Sequence, residues 1–171
     1  MSCGGHRPDA SRMSQIAVGS ADFAIGVGDL TLVTVGLGSC VAIVLHDAES
    51  RVGALAHVLL PHAAHTSGVH AAGKIASSAV PAMLQQMRAE GSTGEVQARL
   101  VGGASMFAPL LRQGAMSIGA RNVQACRLAC AHHGIPIVGE AVGGERGRSV
   151  RFEVRTGRLA IRTVLGPDLV L

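Results

Sequence analysis

Two apolar runs joined by a short polar stretch dominate the hydrophobic pattern of this chain. Val41-Ala42-Ile43-Val44-Leu45 is apolar at every position and rich in β-branched residues, which predicts a buried strand. Asp47-Ala48-Glu49-Ser50 is polar and turn-like, and a second apolar run from Val52 to Leu60 ends at Pro61. Together they predict an antiparallel hairpin. Upstream, Gln15 to Val27 and Leu30 to Val35 read as strands. Downstream, Ile75, Ala79, Met83 and Met87 recur at helical spacing and predict a helix over Ala71 to Glu90, in which Pro81 imposes a kink or a late start. Val96 to Val101 is a strand pattern, and Arg121 to His133 predicts a second helix, capped by Gly134 and ended by Pro136. Ile135 to Val138, Val150 to Val154 and Leu159 to Val164 read as further strands, with Thr156-Gly157 turning between the last two.

Composition narrows the class. A chain of 171 residues suits one domain, expected over residues 15–171, preceded by a short disordered arm over 1–14 that lacks the apolar stretch of an export signal. Three Phe, no Tyr and no Trp mean that the core is built from aliphatic side chains and Met. No apolar stretch reaches the length of a membrane span, so no membrane insertion is expected. Without an export signal, four cysteines point to a reduced, cytoplasmic setting rather than a disulfide framework. Cys126 and Cys130 share one helical face and read as core, and Cys3 lies in the arm. The formal charge of +4 is spread out, although arginines gather at Arg146, Arg148, Arg151, Arg155, Arg158 and Arg162. They alternate with apolar residues as on the solvent face of a strand. With aromatic residues so scarce, no nucleic-acid surface is expected. At most this face steers the chain towards acidic protein partners.

Candidate chemistry sits at the hairpin's open end. With the loop centred between Ala48 and Glu49, Val44 faces Gly53 and Cys40 faces His57. Directly opposed residues share a face of the sheet with Cβ atoms about 4.5–5.5 Å apart. That separation suits a thiolate–imidazolium pair, in which histidine lowers the thiol pKa and later protonates a leaving amine. A shift of one residue would send the two side chains to opposite faces. Thr34, on the preceding strand, is the nearest hydroxyl able to orient the imidazole. Gly36-Leu37-Gly38-Ser39 leads into Cys40, and its turn offers the backbone N–H groups of Gly38 and Ser39 as a candidate oxyanion hole. His57, His62, His65 and His70 match no compact ligand spacing, so no metal is expected. Gly36-Leu37-Gly38 opens a strand rather than a helix, and no Gly-Lys-Ser/Thr follows any glycine run, so no nucleotide or other cofactor is expected. Gly102-Gly103 and Gly143-Gly144 are turn glycines that are candidates for walling the site.

These residues resemble a known family. Thr34-Val35-Gly36-Leu37-Gly38-Ser39-Cys40, then Ala56-His57-Val58-Leu59-Leu60-Pro61, look like the CheD chemoreceptor glutamine deamidases. So do Gly102-Gly103-Ala104-Ser105-Met106-Phe107, Ile118-Gly119-Ala120-Arg121-Asn122, Gly134-Ile135-Pro136-Ile137, and Gly143 to Arg148 leading to Thr156-Gly157-Arg158. The likeness runs from about residue 15 to 163. It implies a layered α/β sandwich with mostly antiparallel sheets, resembling the catalytic domain of cytotoxic necrotizing factor toxins. It also implies a cysteine amidohydrolase that turns glutamine side chains of methyl-accepting chemotaxis receptors into glutamate through a thioester. Cys40 is then the nucleophile, His57 the general base and acid, and Thr34 the orienter. The receptors' cytoplasmic domains are the implied protein substrate, and a CheC-type phosphatase is an implied partner. Val58, where the family is often aromatic, and residues 74–81 depart from the family pattern on the substrate-facing side. Two other readings share these residues: a different cysteine acyl-transfer enzyme, and a non-catalytic adaptor for a CheC-type phosphatase.

Overall fold

The computed structural model of the chain describes residues 14–62, 71–105 and 115–171. Residues 1–13 of the expected arm, His65, His70 and Met106-Phe107 lie outside the described residues.

The two apolar runs form adjacent strands, β4 (Val41–Asp47) and β5 (Val52–Val58), each buried at every position. An uninterrupted apolar run is what a strand covered on both faces requires. Around them stand β2 (Phe23–Val27), β6 (Gln97–Gly102) and β7 (Ile137–Val142), in the order β2-β5-β4-β6-β7. A second sheet runs β1-β3-β8-β9-β10, from β1 (Gln15–Ala17), β3 (Thr31–Leu37), β8 (Arg148–Glu153), β9 (Arg158–Thr163) and β10 (Leu169–Val170). Pairing is antiparallel except for β1 with β3 and β6 with β7. Helices α1 (Ala76–Ala89) and α2 (Ile118–His132) cover the other face of the first sheet.

Two cores follow from these layers. Ile43, Leu45 and Ala54 of the hairpin pack with Met83 and Met87 of α1 and Val123, Cys126 and Cys130 of α2. Ala42, Val44 and Leu55 face Leu32, Val150, Phe152 and Ile161 of the second sheet. Gly53 is required beneath Phe152, because a Cβ there would lie 2.5 Å from the ring. Burying that ring contributes about 3 kcal/mol.

Several element bounds differ from expectation, among them the strand expected over Ile135 to Val138, which is β7 at Ile137–Val142. Gln15 to Val27 is not one strand: it breaks at residues 18–22, and β1 and β2 enter different sheets. Gly19-Ser20-Ala21-Asp22 is turn chemistry, and Ala21 takes a left-handed φ of 63°. The first helix does start late. A 3-10 turn at Ala72–Lys74 and an extended Ile75 precede Ala76, and Pro81 lies within the helix. The second helix starts earlier than expected, at Ile118, where Ser117 Oγ accepts from the Ala120 N–H at 3.1 Å. Its end is as read: Gly134 is left-handed at φ 65°, with the Ile135 N–H bonded to Cys130 O and the Gly134 N–H to Ala131 O.

Candidate active site

The hairpin register decides how Cys40 meets His57. Ala42, not Cys40, lies directly opposite His57, and His46 opposes Gly53. The loop is the four residues 48–51, centred one residue later than expected, so the pairing shifts by two. Asp47 explains the shifted loop. Its Oδ1 accepts from the Ser50 N–H at 3.0 Å and Oδ2 from Ser92 Oγ at 2.7 Å and the Gly94 N–H at 2.8 Å. A shift of two preserves the face. Cys40 is therefore diagonal to His57 on the side facing the second sheet, an offset of about 7–8 Å, and no hydrogen bond joins His57 Nε2 to the Cys40 thiol.

Thr34 and His57 meet between the two sheets, both almost wholly buried. Thr34 Oγ1 lies 2.7 Å from Val18 O and 2.8 Å from His57 Nδ1. A carbonyl only accepts, so the threonine proton goes to Val18 and the hydroxyl accepts from Nδ1–H. This fixes the imidazole tautomer and leaves the Nε2 lone pair available. Nε2 is buried and has no partner among the described residues. The broken strand has a part here: the His57 N–H donates to Asp22 O at 3.0 Å, and His57 O accepts from the Ala21 N–H at 3.0 Å. The turn between β1 and β2 thus holds the imidazole's backbone and, through Val18, its orienter.

Cys40 is partly buried at the end of the glycine turn. Burial pushes its thiol above the ordinary value, opposed by its own backbone N–H. Burial also pulls the His57 imidazole below its ordinary value. Both shifts run towards the uncharged forms, opposite to those that the expected ion pair calls for.

The turn itself is tightly held. The Gly38 N–H donates to Gly36 O at 3.0 Å, and Gly38 O accepts from the Ala104 N–H at 2.8 Å. Cys40 O accepts from the Gly103 N–H at 2.7 Å. Gly102 has φ 116°, and a Cβ there would sit 2.3 Å from Cys40 O. The second glycine loop joins the first, the Gly143 N–H donating to Gly102 O and the Ser105 N–H to Gly144 O, both at 2.8 Å. Arg148 bonds Gly143 O at 2.8 Å. Ser39 offers its carbonyl to Asn122 of α2, whose Nδ2 lies 2.8 Å from Ser39 O and 3.0 Å from Leu59 O.

Asn122, Val18 and Asp22 are absent from the site as read along the chain. The turn-forming run at 19–22 marks the segment that holds His57, but no periodicity marks a carboxamide bridging two distant strands. No group of three or more potential metal ligands occurs among the described residues.

The family model for CheD chemotactic sensory transduction matches residues 59–163. The chain is 36% identical over 159 residues to the probable chemoreceptor glutamine deamidase CheD of Desulforamulus reducens, covering 92% of this chain and 96% of that one. It is 41% identical over 154 residues to the probable chemoreceptor glutamine deamidase CheD 2 of Geobacter metallireducens, with 89% and 95% covered. It is 38% identical over 152 residues to the chemoreceptor glutamine deamidase CheD of Thermotoga maritima, with 88% and 93% covered. The family model begins just after His57, but matches this long extend through Thr34, Cys40 and His57 as well.

Proposed function

This chain belongs to the CheD family, and from that premise we propose that it converts glutamine side chains of chemoreceptors to glutamate with Cys40 as nucleophile. It is a protein-glutamine glutaminase of the chemotaxis system. The observation that supports the cysteine route is the arrangement of His57, its Nδ1–H held by Thr34 and its Nε2 unpartnered.

His57 Nε2 takes the Cys40 proton as sulfur bonds to the carboxamide carbon. The oxyanion is received by backbone N–H groups of the Ser39–Cys40 turn; Gly38 shapes that turn, its own N–H being engaged by Gly36. The carbon–nitrogen bond breaks as His57 returns the proton, and ammonia leaves. Water, deprotonated by His57, then splits the thioester to glutamate and the free thiol. Thr34 keeps Nε2, rather than Nδ1, turned to the reacting atoms through both halves. The reaction needs no cofactor.

Cytoplasmic action on the receptors' cytoplasmic domains and binding of a CheC-type phosphatase belong to the same proposal. No helix among the described residues is long and apolar enough to cross a membrane. The decisive test is mass spectrometry of receptor cytoplasmic fragments incubated with wild type or Cys40→Ala. Conversion of glutamine to glutamate by wild type alone is expected. Equal conversion by Cys40→Ala would refute the nucleophile. No conversion by either, with phosphatase binding retained, would leave the adaptor reading in its place.

A further inference from the structure

The ladder between β4 and β5 ends at Val41 and Val58, so Cys40 lies beyond the last pair. Past that point the two chains part. The Leu59 and Leu60 N–H groups turn to Lys74 O, at 3.0 and 3.2 Å, while Cys40 O turns the other way to the Gly103 N–H. Nothing in the sheet itself then fixes the gap between the nucleophile's segment and the base's.

Asn122 fills that gap. It is fully buried, and its Nδ2 donates to Ser39 O at 2.8 Å and to Leu59 O at 3.0 Å. One carbonyl immediately precedes Cys40; the other lies two residues after His57. Two carbonyl acceptors settle which end of the carboxamide is nitrogen. Its Oδ1 is buried with no partner among the described residues. An unsatisfied acceptor is a cost at a site where an apolar side chain would incur none, so the two donated bonds are what this residue supplies. The residue is rigidly presented. It lies in the second turn of α2, and Gly119 packs so closely on the 103–104 backbone that a Cβ would lie 2.4 Å from Gly103 O.

We propose that Asn122 is a positioning residue, a carboxamide clip that replaces the missing ladder bonds and sets the separation of Cys40 from His57. The inference rests on the Cys40–His57 reading of the site but not on the identity of the substrate. A change of about 1 Å in the spacing of reacting groups is worth up to roughly a hundredfold in rate.

The test is the pH profile of Cys40 alkylation by iodoacetamide, read by peptide mass spectrometry in wild type, Asn122→Asp, Asn122→Ala, His57→Ala and Met87→Ala. Asn122→Asp keeps the shape and removes the donors. Met87→Ala opens a cavity in the core between α1 and the first sheet without touching the site. Cys126 and Cys130 are buried, and label only in molecules that have opened. Wild type and Met87→Ala should share one profile. Both Asn122 variants should shift towards the His57→Ala profile, with Cys40 labelling at neutral pH slowed by roughly tenfold or more. Asn122 variants that keep the wild-type profile, or a Met87→Ala profile displaced as far as theirs, would overturn the proposal. A second measurement needs no variant. Through-hydrogen-bond NMR couplings from the Asn122 amide protons to the Ser39 and Leu59 carbonyl carbons are expected, and their absence would also overturn it. If wild type leaves receptor glutamines intact while the alkylation contrast holds, the deamidase reading fails and the role of Asn122 stands.

Discussion

Thr34 and His57 divide one task unequally. In the proposed reaction the imidazole carries the proton, whereas the hydroxyl only decides which nitrogen is free to carry it. Thr34→Ala should therefore lower kcat by roughly tenfold to a hundredfold, the cost of a misdirected base. His57→Ala should lower it by roughly a thousandfold, the contribution of general acid–base transfer. Thr34→Ser, which restores a hydroxyl, should recover most of the loss. Steady-state assays of ammonia release measure all three, and equal losses in Thr34→Ala and His57→Ala would give Thr34 a larger part than orientation. The residue types at this site are legible along the chain, because a thiol, an imidazole and a hydroxyl near a glycine turn have few joint uses. The direction in which burial moves their pKa values is not: it raises the thiol and lowers the imidazole.

At the scale of elements, the hairpin shows how a loop sets a site. Asp47 ends β4 with its carboxylate bonded to Ser50, Ser92 and Gly94, which fixes a four-residue loop and the register behind it. Burial opposes the charge, but the hydrogen bonds outweigh it and hold the carboxyl at about 2. Asp47→Ala strands these donors and should cost about 3 kcal/mol, read as a lowered urea midpoint. If the loop then re-forms one residue shorter, cross-strand NMR contacts should report Val44 opposite a residue other than Leu55. The apolar runs predict both strands and their shared face; the register is beyond them, since Ser92 and Gly94 lie far along the chain from Asp47.

The whole molecule binds its titrating groups between layers. His46 is buried against Phe152, with Nε2 2.8 Å from Val154 O, and His57 is buried beside Thr34. Burial lowers both pKa values below 6.5. The unfolded chain therefore takes up protons first as pH falls, so stability is full above about pH 6.5 and declines below it. Asp47, held at about 2 against an ordinary 3.8, keeps its contribution until pH drops below about 3.8 and loses it towards 2. Calorimetry should show a Tm that is flat from neutral to mildly alkaline pH and that falls in mild acid, with a smaller fall in His46→Gln. A Tm unchanged down to about pH 5 would contradict neutral burial of these rings. The sequence by itself determined most of the strands and both helices in outline, the face shared by Cys40 and His57, and Thr34 as the hydroxyl nearest the imidazole. These rest on short-range periodicity, side-chain type and turn chemistry, all of which are local. Tertiary structure alone decided the two-residue register, the break that brings Val18 and Asp22 to the histidine, and the Asn122 bridge to a carbonyl 83 residues away. Those depend on which buried carbonyls and carboxylates find donors once the layers close, and no repeating pattern along a chain records that pairing.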